Sequence, residues 1–394
     1  MKDAEEFLNR TRQYASELAA QRAERQSRRA LDPPDFSRLR EIGFLHASVP
    51  VEHGGWWEGT SGSIRTLSEA FRLLGSADPS IALSASMHPG VLAFWRDTPP
   101  PADDAGGRAW AAQKREISAS TLEGHWWGTI TSEPGSGSDI SKTRATARRD
   151  PASPAGWLLT GEKHFGSGSG VTSFMITSAR PEGEIDPSWF FMRVKGAPWD
   201  GTTGMALRAR WDGQGMAATD SHGFVFENFP ATRYAWPGHW REILEGPGGS
   251  VAMVQVAVIV GIVDAAMDYM RTQLRARGAP SEPLLPFEKI EWVIAHREAW
   301  LVQQAFEAGL RILEEKGRAR FDTSMAKSNI ATLSEMLLGR LCRVAGGGAY
   351  SRRSPLGHWF EDVRAMGYLR PPWALAFEAL YNLGWANALA EPSP

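Results

Sequence analysis

The stretch Gly124-His125-Trp126-Trp127-Gly128-Thr129-Ile130-Thr131-Ser132-Glu133-Pro134-Gly135-Ser136-Gly137-Ser138-Asp139 decides the fold when read with Gly156-Trp157-Leu158-Leu159-Thr160-Gly161-Glu162-Lys163-His164-Phe165-Gly166-Ser167-Gly168-Ser169. The first piece reads as a strand over 127–132 that ends in a turn of Pro, Gly and Ser. The second reads as a strand, a turn at Thr160-Gly161, a further strand and another Gly/Ser-rich turn. Between them, 142–149 alternates cations with Thr and Ala, as an exposed strand does. Glycine lets a backbone approach closely, and Ser and Thr supply hydrogen bonds. Two such bends side by side form one wall of a pocket for a flat, polar, electron-poor ligand.

Working outward, 124–238 keeps a period of two, with short runs at 157–159, 173–178, 189–194 and 223–227. This pattern predicts a small β-barrel or sandwich. Residues 1–123 read as a helical domain, with segments at 4–30, 36–44, 64–74, 80–95 and 108–120. Asp78-Pro79 stands as an N-cap pair before the fourth of these. Residues 239–394 are helical again, and 251–277, 287–316, 324–344 and 373–388 predict a four-helix bundle. The second of those carries Ile290, Val293, Ile294, Trp300, Leu301, Ala305 and Leu310 on an apolar stripe.

Composition narrows the function classes. With 42% hydrophobic and 22% charged residues in a chain of 394, a sizeable core is available. A formal net charge of −2 gives no electrostatic ground for nucleic acid or an anionic membrane as partner. Cys342 is the single cysteine, which excludes an internal disulfide and points to a reducing cytoplasm. The charged start lacks the apolar core of a signal peptide. The most apolar run, 251–267, contains Gln255 and Asp264 and reads as a buried core helix rather than a membrane span. No metal site is expected. Seventeen tryptophans predict large aromatic surfaces, in subunit contacts, around a planar ligand or in the core.

Thr131-Ser132-Glu133-Pro134-Gly135-Ser136-Gly137-Ser138-Asp139 resembles the T-E-P-G-A-G-S-D signature of the acyl-CoA dehydrogenase superfamily. Gly161-Glu162-Lys163-His164-Phe165-Gly166-Ser167 is similar to the G-x-K-x-W-I-T/S segment that follows it. The resemblance implies a helical N-terminal domain, a central β-barrel domain and a C-terminal four-helix bundle. It implies a flavin between the last two. Thr131 and Ser132 are then expected at the pyrimidine side of the isoalloxazine, Phe165 over its face, and Ser167 at N5. Ser138 is expected along the substrate's acyl-thioester arm. Arg277 matches an arginine that the family supplies across a dimer interface to the pyrophosphate. Gly346 and Gly347 lie in Arg343-Val344-Ala345-Gly346-Gly347-Gly348-Ala349-Tyr350, which resembles the family's adenylate loop. FAD is therefore expected ahead of FMN, in a homo-oligomer that is a dimer or a dimer of dimers.

The sequence also departs from the pattern. Where dehydrogenases place the glutamate that removes the α-proton, this chain has Arg370; at the alternative base position it has Val251. Abstraction of a proton from carbon needs a carboxylate within reach, and an arginine stays protonated. Glu361, Glu378 or a shift of the loop is left to supply that base. Oxidation of an acyl thioester, with an acyl-CoA as substrate, is one implied function. Another is that of the superfamily's monooxygenases, which resemble the dibenzothiophene and hydroxyphenylacetate oxygenases, take reduced flavin from a separate reductase and form a C4a-hydroperoxyflavin. A non-catalytic flavin- or acyl-binding relative is the third. His88 and His164 are the histidines expected near such a site, and Arg370 is expected to place fixed positive charge at its substrate end.

Overall fold

The computed structural model describes residues 3–98, 102, 104–277, 284–369 and 371–390. Among these residues six α-helices come first: α1 (Ala4–Ala20), α2 (Arg22–Arg25), α3 (Pro33–Ile42), α4 (Thr60–Ala77), α5 (Pro79–Arg96) and α6 (Ala105–Leu122). Seven strands follow: β1 (Trp127–Thr129), β2 (Thr146–Arg149), β3 (Trp157–Gly166), β4 (Phe174–Pro181), β5 (Ser188–Arg193), β6 (Met205–Ala209) and β7 (His222–Arg233). The chain then returns to helix: α7 (Trp240–Glu245), α8 (Ser250–Arg277), α9 (Pro286–Lys316), α10 (Arg320–Ala345), α11 (Pro355–Arg364) and α12 (Trp373–Ala390).

The helix boundaries follow local chemistry. Pro33 opens α3 at a position where its missing N–H costs nothing, so Asp32-Pro33-Pro34 starts a helix rather than only ending one. Gly43 closes α3 at φ 118, a conformation that favours glycine. Asp78 caps α5 by accepting from the Ile81 N–H at 3.1 Å, as the sequence predicts. Its other oxygen accepts from Arg25 Nε at 2.6 Å, and Arg25 also bonds Asp35, which takes the Tyr14 hydroxyl at 2.7 Å. One buried cation thereby ties α1, α2, α3 and α5 together.

The sheet closes on itself. Its order is β1-β4-β2-β3-β7-β5, and an additional β4–β5 pairing joins the ends around a five-stranded barrel, with β1 on β4 and β6 on β7. Leu159, Met175, Phe190, Met192, Phe224 and Phe226 fill the interior as one cluster. Thr160-Gly161 is not a turn, as the sequence reading has it: β3 runs unbroken through it, with a shift of register against β7. A Cβ at Gly161 would stand 2.5 Å from Ala145 Cβ, so close packing explains the glycine. Six of the seventeen tryptophans lie in the seam between helices and barrel. Trp95, Trp110 and Trp127 pack there with Phe191 and Tyr234, and the Trp95 and Tyr234 rings stack at 4.1 Å.

Helix α8 is apolar enough to cross a membrane, but most of its apolar stretch is buried inside the protein. It packs against α4, α9 and α10. Its approach to α4 depends on Gly261: a Cβ there would stand 2.1 Å from Arg72 O and 2.7 Å from Ser76 N, both backbone atoms of α4. Gly261→Ala is therefore expected to lower stability by about 1–3 kcal/mol through overpacking, although alanine is the better helix former. Gly339→Ala in α10, whose new methyl meets Phe360 at an ordinary 3.7 Å, serves as the control and is expected to be neutral or stabilising. Denaturant midpoints of the two variants check this; equal effects would contradict it.

Candidate functional site

The two glycine- and serine-rich bends lie side by side. The turn after β1 meets the end of β3 through a backbone bridge in which His164 N–H donates to Ser132 O at 2.8 Å. In the first bend Gly135, Gly137 and Ser138 take left-handed φ values of 76, 60 and 66, and a Cβ on either glycine would meet nothing within 4 Å. Ser138 Oγ lies 3.4 Å from Ser132 Oγ, and Thr131 is half-buried beside them. In the second bend Phe165 has φ 60 and is 59% exposed, an unfavourable conformation and environment for a large aromatic ring.

A buried ion pair fixes the two bends to each other. Lys163 Nζ, wholly buried, donates to Glu133 Oε1 and to Ser178 O, both at 2.6 Å. Glu133 also accepts from the N–H groups of Arg144 at 2.7 Å and Ala145 at 3.2 Å. Sequence reading places both residues in the motifs but gives them no role. Their signal is the Glu and Lys common to the two motifs.

A third wall comes from the glycine-containing loop 211–221. Trp211 and Phe165 meet near-perpendicular, with ring centroids 6.2 Å apart. Met216 is held at φ 50 by a hydrogen bond from its N–H to Asp362 Oδ1 of α11 at 2.6 Å. Gly215 packs so closely on α11 that a Cβ would stand 2.2 Å from Glu361 O. Burial pushes the Asp362 carboxyl up to about 7, with Asp78 and Glu361 adding like charge. Ser167 reaches this loop: its Oγ is 2.8 Å from Ser221 Oγ, which is 2.7 Å from Thr219 Oγ1.

The other predicted positions are placed as follows. His88, in α5, is buried; its Nδ1 accepts from the Trp127 N–H at 3.0 Å, and its Nε2 has no partner among the described residues. Because Nδ1 faces a donor, the neutral ring carries its proton on Nε2; burial, reinforced by Arg96, lowers the imidazole pKa to about 3. His164 pairs with Glu162 at 2.8 Å instead. Arg277, the last residue of α8, bonds the buried Glu288 of α9 in the same chain. Gly346 and Gly347 lie in a short 3-10 turn after α10 with open space around them, and Tyr350 beside them is 98% exposed. Val251 packs against Gly90 of α5. Glu361 bonds Arg364 at 2.7 Å, and Glu378 is exposed on α12. Arg370 lies outside the described residues; on either side of it, Leu369 O and Pro371 O accept from the buried Lys327 Nζ at 2.8 and 2.9 Å.

Comparison with known proteins agrees with this architecture. The family model for the acyl-CoA dehydrogenase middle domain matches residues 128–229. An amino sugar nitrososynthase, DnmZ, of Streptomyces peucetius is 26% identical over 386 residues, covering 93% of this chain and 89% of the relative. Among solved structures, KijD3 in complex with FMN and dTDP-3-amino-2,3,6-trideoxy-4-keto-3-methyl-D-glucose superposes with a TM-score of 0.78 at 21% identity, covering 98% of this chain and 94% of that one. Butyryl-CoA dehydrogenase from Megasphaera elsdenii superposes with a TM-score of 0.80 at 17% identity, covering 97% and 98%.

Two outcomes follow from this geometry. Lys163→Met leaves Glu133 buried without its cation and is expected to cost about 3–5 kcal/mol in chemical denaturation; a loss below 1 kcal/mol, about that of an exposed pair, would show that the pair holds nothing together. The second concerns Asp362. Its folded carboxyl binds protons more tightly than the unfolded one, so its contribution is fully present below the unfolded value and is lost as pH rises through about 7. Asp362→Asn removes that slope, and the variant is expected to lose less stability than the parent between about pH 4 and pH 8. Parallel melting-temperature profiles would refute this.

Proposed function

Starting from a chain with the acyl-CoA dehydrogenase fold and that family's middle domain at its centre, we propose a flavin-dependent monooxygenase that takes reduced flavin from a separate reductase. The observation that carries this reading is that neither position of the family's base holds an acid: they are Arg370 and Val251. The nitrososynthase relative, named for an amino sugar, supports it, and together with the dTDP-linked amino sugar held by KijD3 it points to an amine-bearing sugar nucleotide as the substrate class.

The residues present fit a flavin ring. The two bends offer small hydroxyls and open glycine backbone at one surface, and Phe165 holds an exposed ring beside them. A bound reduced flavin supplies the electrons for oxygen activation; binding and orientation fall to the chain. Thr131 and Ser132 would hold the pyrimidine edge, Phe165 would cover one face, and Ser167 would meet N5. Ser138 faces the substrate. His88 keeps an unprotonated Nδ1 for Trp127 and presents a neutral Nε2–H as a donor. Arg370 adds fixed charge at the substrate end. In FAD the adenylate half would run toward Arg277 and the Gly346-Gly347 turn; FMN needs neither. The outer stripe of α9, with Ile290, Val293 and Trp300 each more than half exposed, supports a homo-oligomer. A cytoplasmic setting fits the single cysteine.

Acyl-thioester oxidation is the second reading, favoured by the family match. It requires a carboxylate that Glu361, already bonded to Arg364, and the exposed Glu378 do not offer. One pair of assays separates the two. Oxygen-dependent product formation from an amino sugar nucleotide, with a flavin reductase present and no anaerobic bleaching by acyl-CoAs, is the expected result. Bleaching of bound flavin by an acyl-CoA under anaerobic conditions would replace the proposal with the dehydrogenase, and flavin binding without either response would leave a binding protein.

A further inference from the structure

Ser167, Ser221 and Thr219 form a buried file of hydroxyls that ends on a backbone carbonyl. Ser167 and Ser221 are each 7% exposed and Thr219 is fully buried. The separations are 2.8 Å from Ser167 to Ser221, 2.7 Å from Ser221 to Thr219, and 2.9 Å from Thr219 Oγ1 to Met216 O. The file is firmly set: Thr219 O accepts from the Gly168 N–H at 2.8 Å, and Met216 is pinned by Asp362.

The direction of donation along this file is fixed by its far end. A carbonyl oxygen only accepts, so at 2.9 Å the Thr219 hydroxyl must donate to Met216 O; otherwise two sets of lone pairs would face each other. A hydroxyl has one proton. Thr219 has spent its own, so Ser221 donates to Thr219. Ser221 has then spent its own, so Ser167 donates to Ser221. Ser167 is left with lone pairs, and no proton, for whatever lies outside the file.

We propose that Thr219 and Ser221 are positioning residues that set Ser167 as a hydrogen-bond acceptor, and that this makes the site select reduced over oxidised flavin. The inference rests on the placement of Ser167 at N5 in the proposed function. In oxidised isoalloxazine N5 bears a lone pair, which would face the lone pairs of Ser167. In the reduced ring N5 bears a hydrogen, which Ser167 can accept. The difference between a made and an unmet hydrogen bond is worth roughly tenfold in affinity. By linkage, each tenfold preference for the reduced form raises the two-electron potential of the bound flavin by about 30 mV.

The test measures the affinity of the full-length protein for oxidised and for dithionite-reduced FMN and FAD, anaerobically, by quenching of tryptophan fluorescence. The parent is expected to bind the reduced form of the preferred flavin about tenfold more tightly or better. Thr219→Val keeps the shape but removes the terminal donor, and Ser221→Ala breaks the file directly. Either frees the Ser167 proton to turn outward and is expected to tighten binding of oxidised flavin, bring the ratio toward unity and lower the bound potential. Thr219→Ser keeps the hydroxyl and is expected to retain the parent ratio, which a purely structural role for this position would not require. A parent that binds both redox forms equally, or variants that leave ratio and potential unchanged, would overturn this inference while leaving the flavin site in place. No binding of either form of either flavin would instead sink the proposed function, and this inference with it.

Discussion

The buried Lys163–Glu133 pair is the constraint on which the rest of the site depends. Taking two charges out of water is costly, and their attraction offsets that cost only when the remaining hydrogen-bonding capacity is met. Here Ser178 O takes a second Lys163 proton, and the Arg144 and Ala145 N–H groups meet the carboxylate. The pair therefore tolerates little movement between β3, β4 and the turn after β1. Removing that freedom allows an exposed Phe165 to persist in a left-handed conformation that would be unfavourable in a free loop. Stability stored in the barrel is thereby used to hold an irregular surface.

A second set of anchors acts on the loop 211–221. Met216 and Asp220 also take positive φ values, 50 and 46, without being glycine. Asp362 grips the first from α11, while Leu31 N–H donates to Asp220 Oδ2 at 3.3 Å from the N-terminal part of the chain. Helix α11 and the linker between α2 and α3 thus together shape one loop of the barrel. The position of that loop determines where the hydroxyl file ends, so the helical parts of the chain bear on the site without supplying its wall.

The readable part of the sequence was the part whose chemistry is local. Asp78-Pro79 caps α5 because capping involves residues three apart, and the apolar periods of α8, α9 and α10 are set within each helix. The two bends were legible because Gly, Pro and Ser act on their own backbone. Long-range contacts were not. Thr160-Gly161 has the composition of a turn, yet the glycine answers to Ala145 across the barrel. Met205–Ala209 pairs with β7 as a strand that its Gly- and Thr-rich surroundings conceal. Arg277 matched a phosphate ligand by position, but nothing nearby in sequence foretold Glu288 as its partner within the chain. The tryptophans fit core and ligand wall equally by count; the stacked seam around Trp95 shows how much of that aromatic surface is core.

The ionisable groups around the site bear on its chemistry through what they are already bound to. Asp362 has a carboxyl raised to about 7, a value suited to a general base, but it is buried and holds Met216. Burial raises Asp220 to about 6, yet one oxygen accepts from Leu31, and the other lies 3.7 Å from His222 Nε2. His88 has its basic nitrogen against the Trp127 N–H, so taking up a proton there would break that bond inside a buried site. Each of these groups has a lone pair committed to the backbone. What the two bends offer is a set of fixed hydroxyls, with the oxygen of Ser167 held by Ser221. Such a set can bind and discriminate a ring by its protonation, but it is poorly equipped to pull a proton from carbon. The proton balance of the site therefore weighs on the same side as Arg370 and Val251.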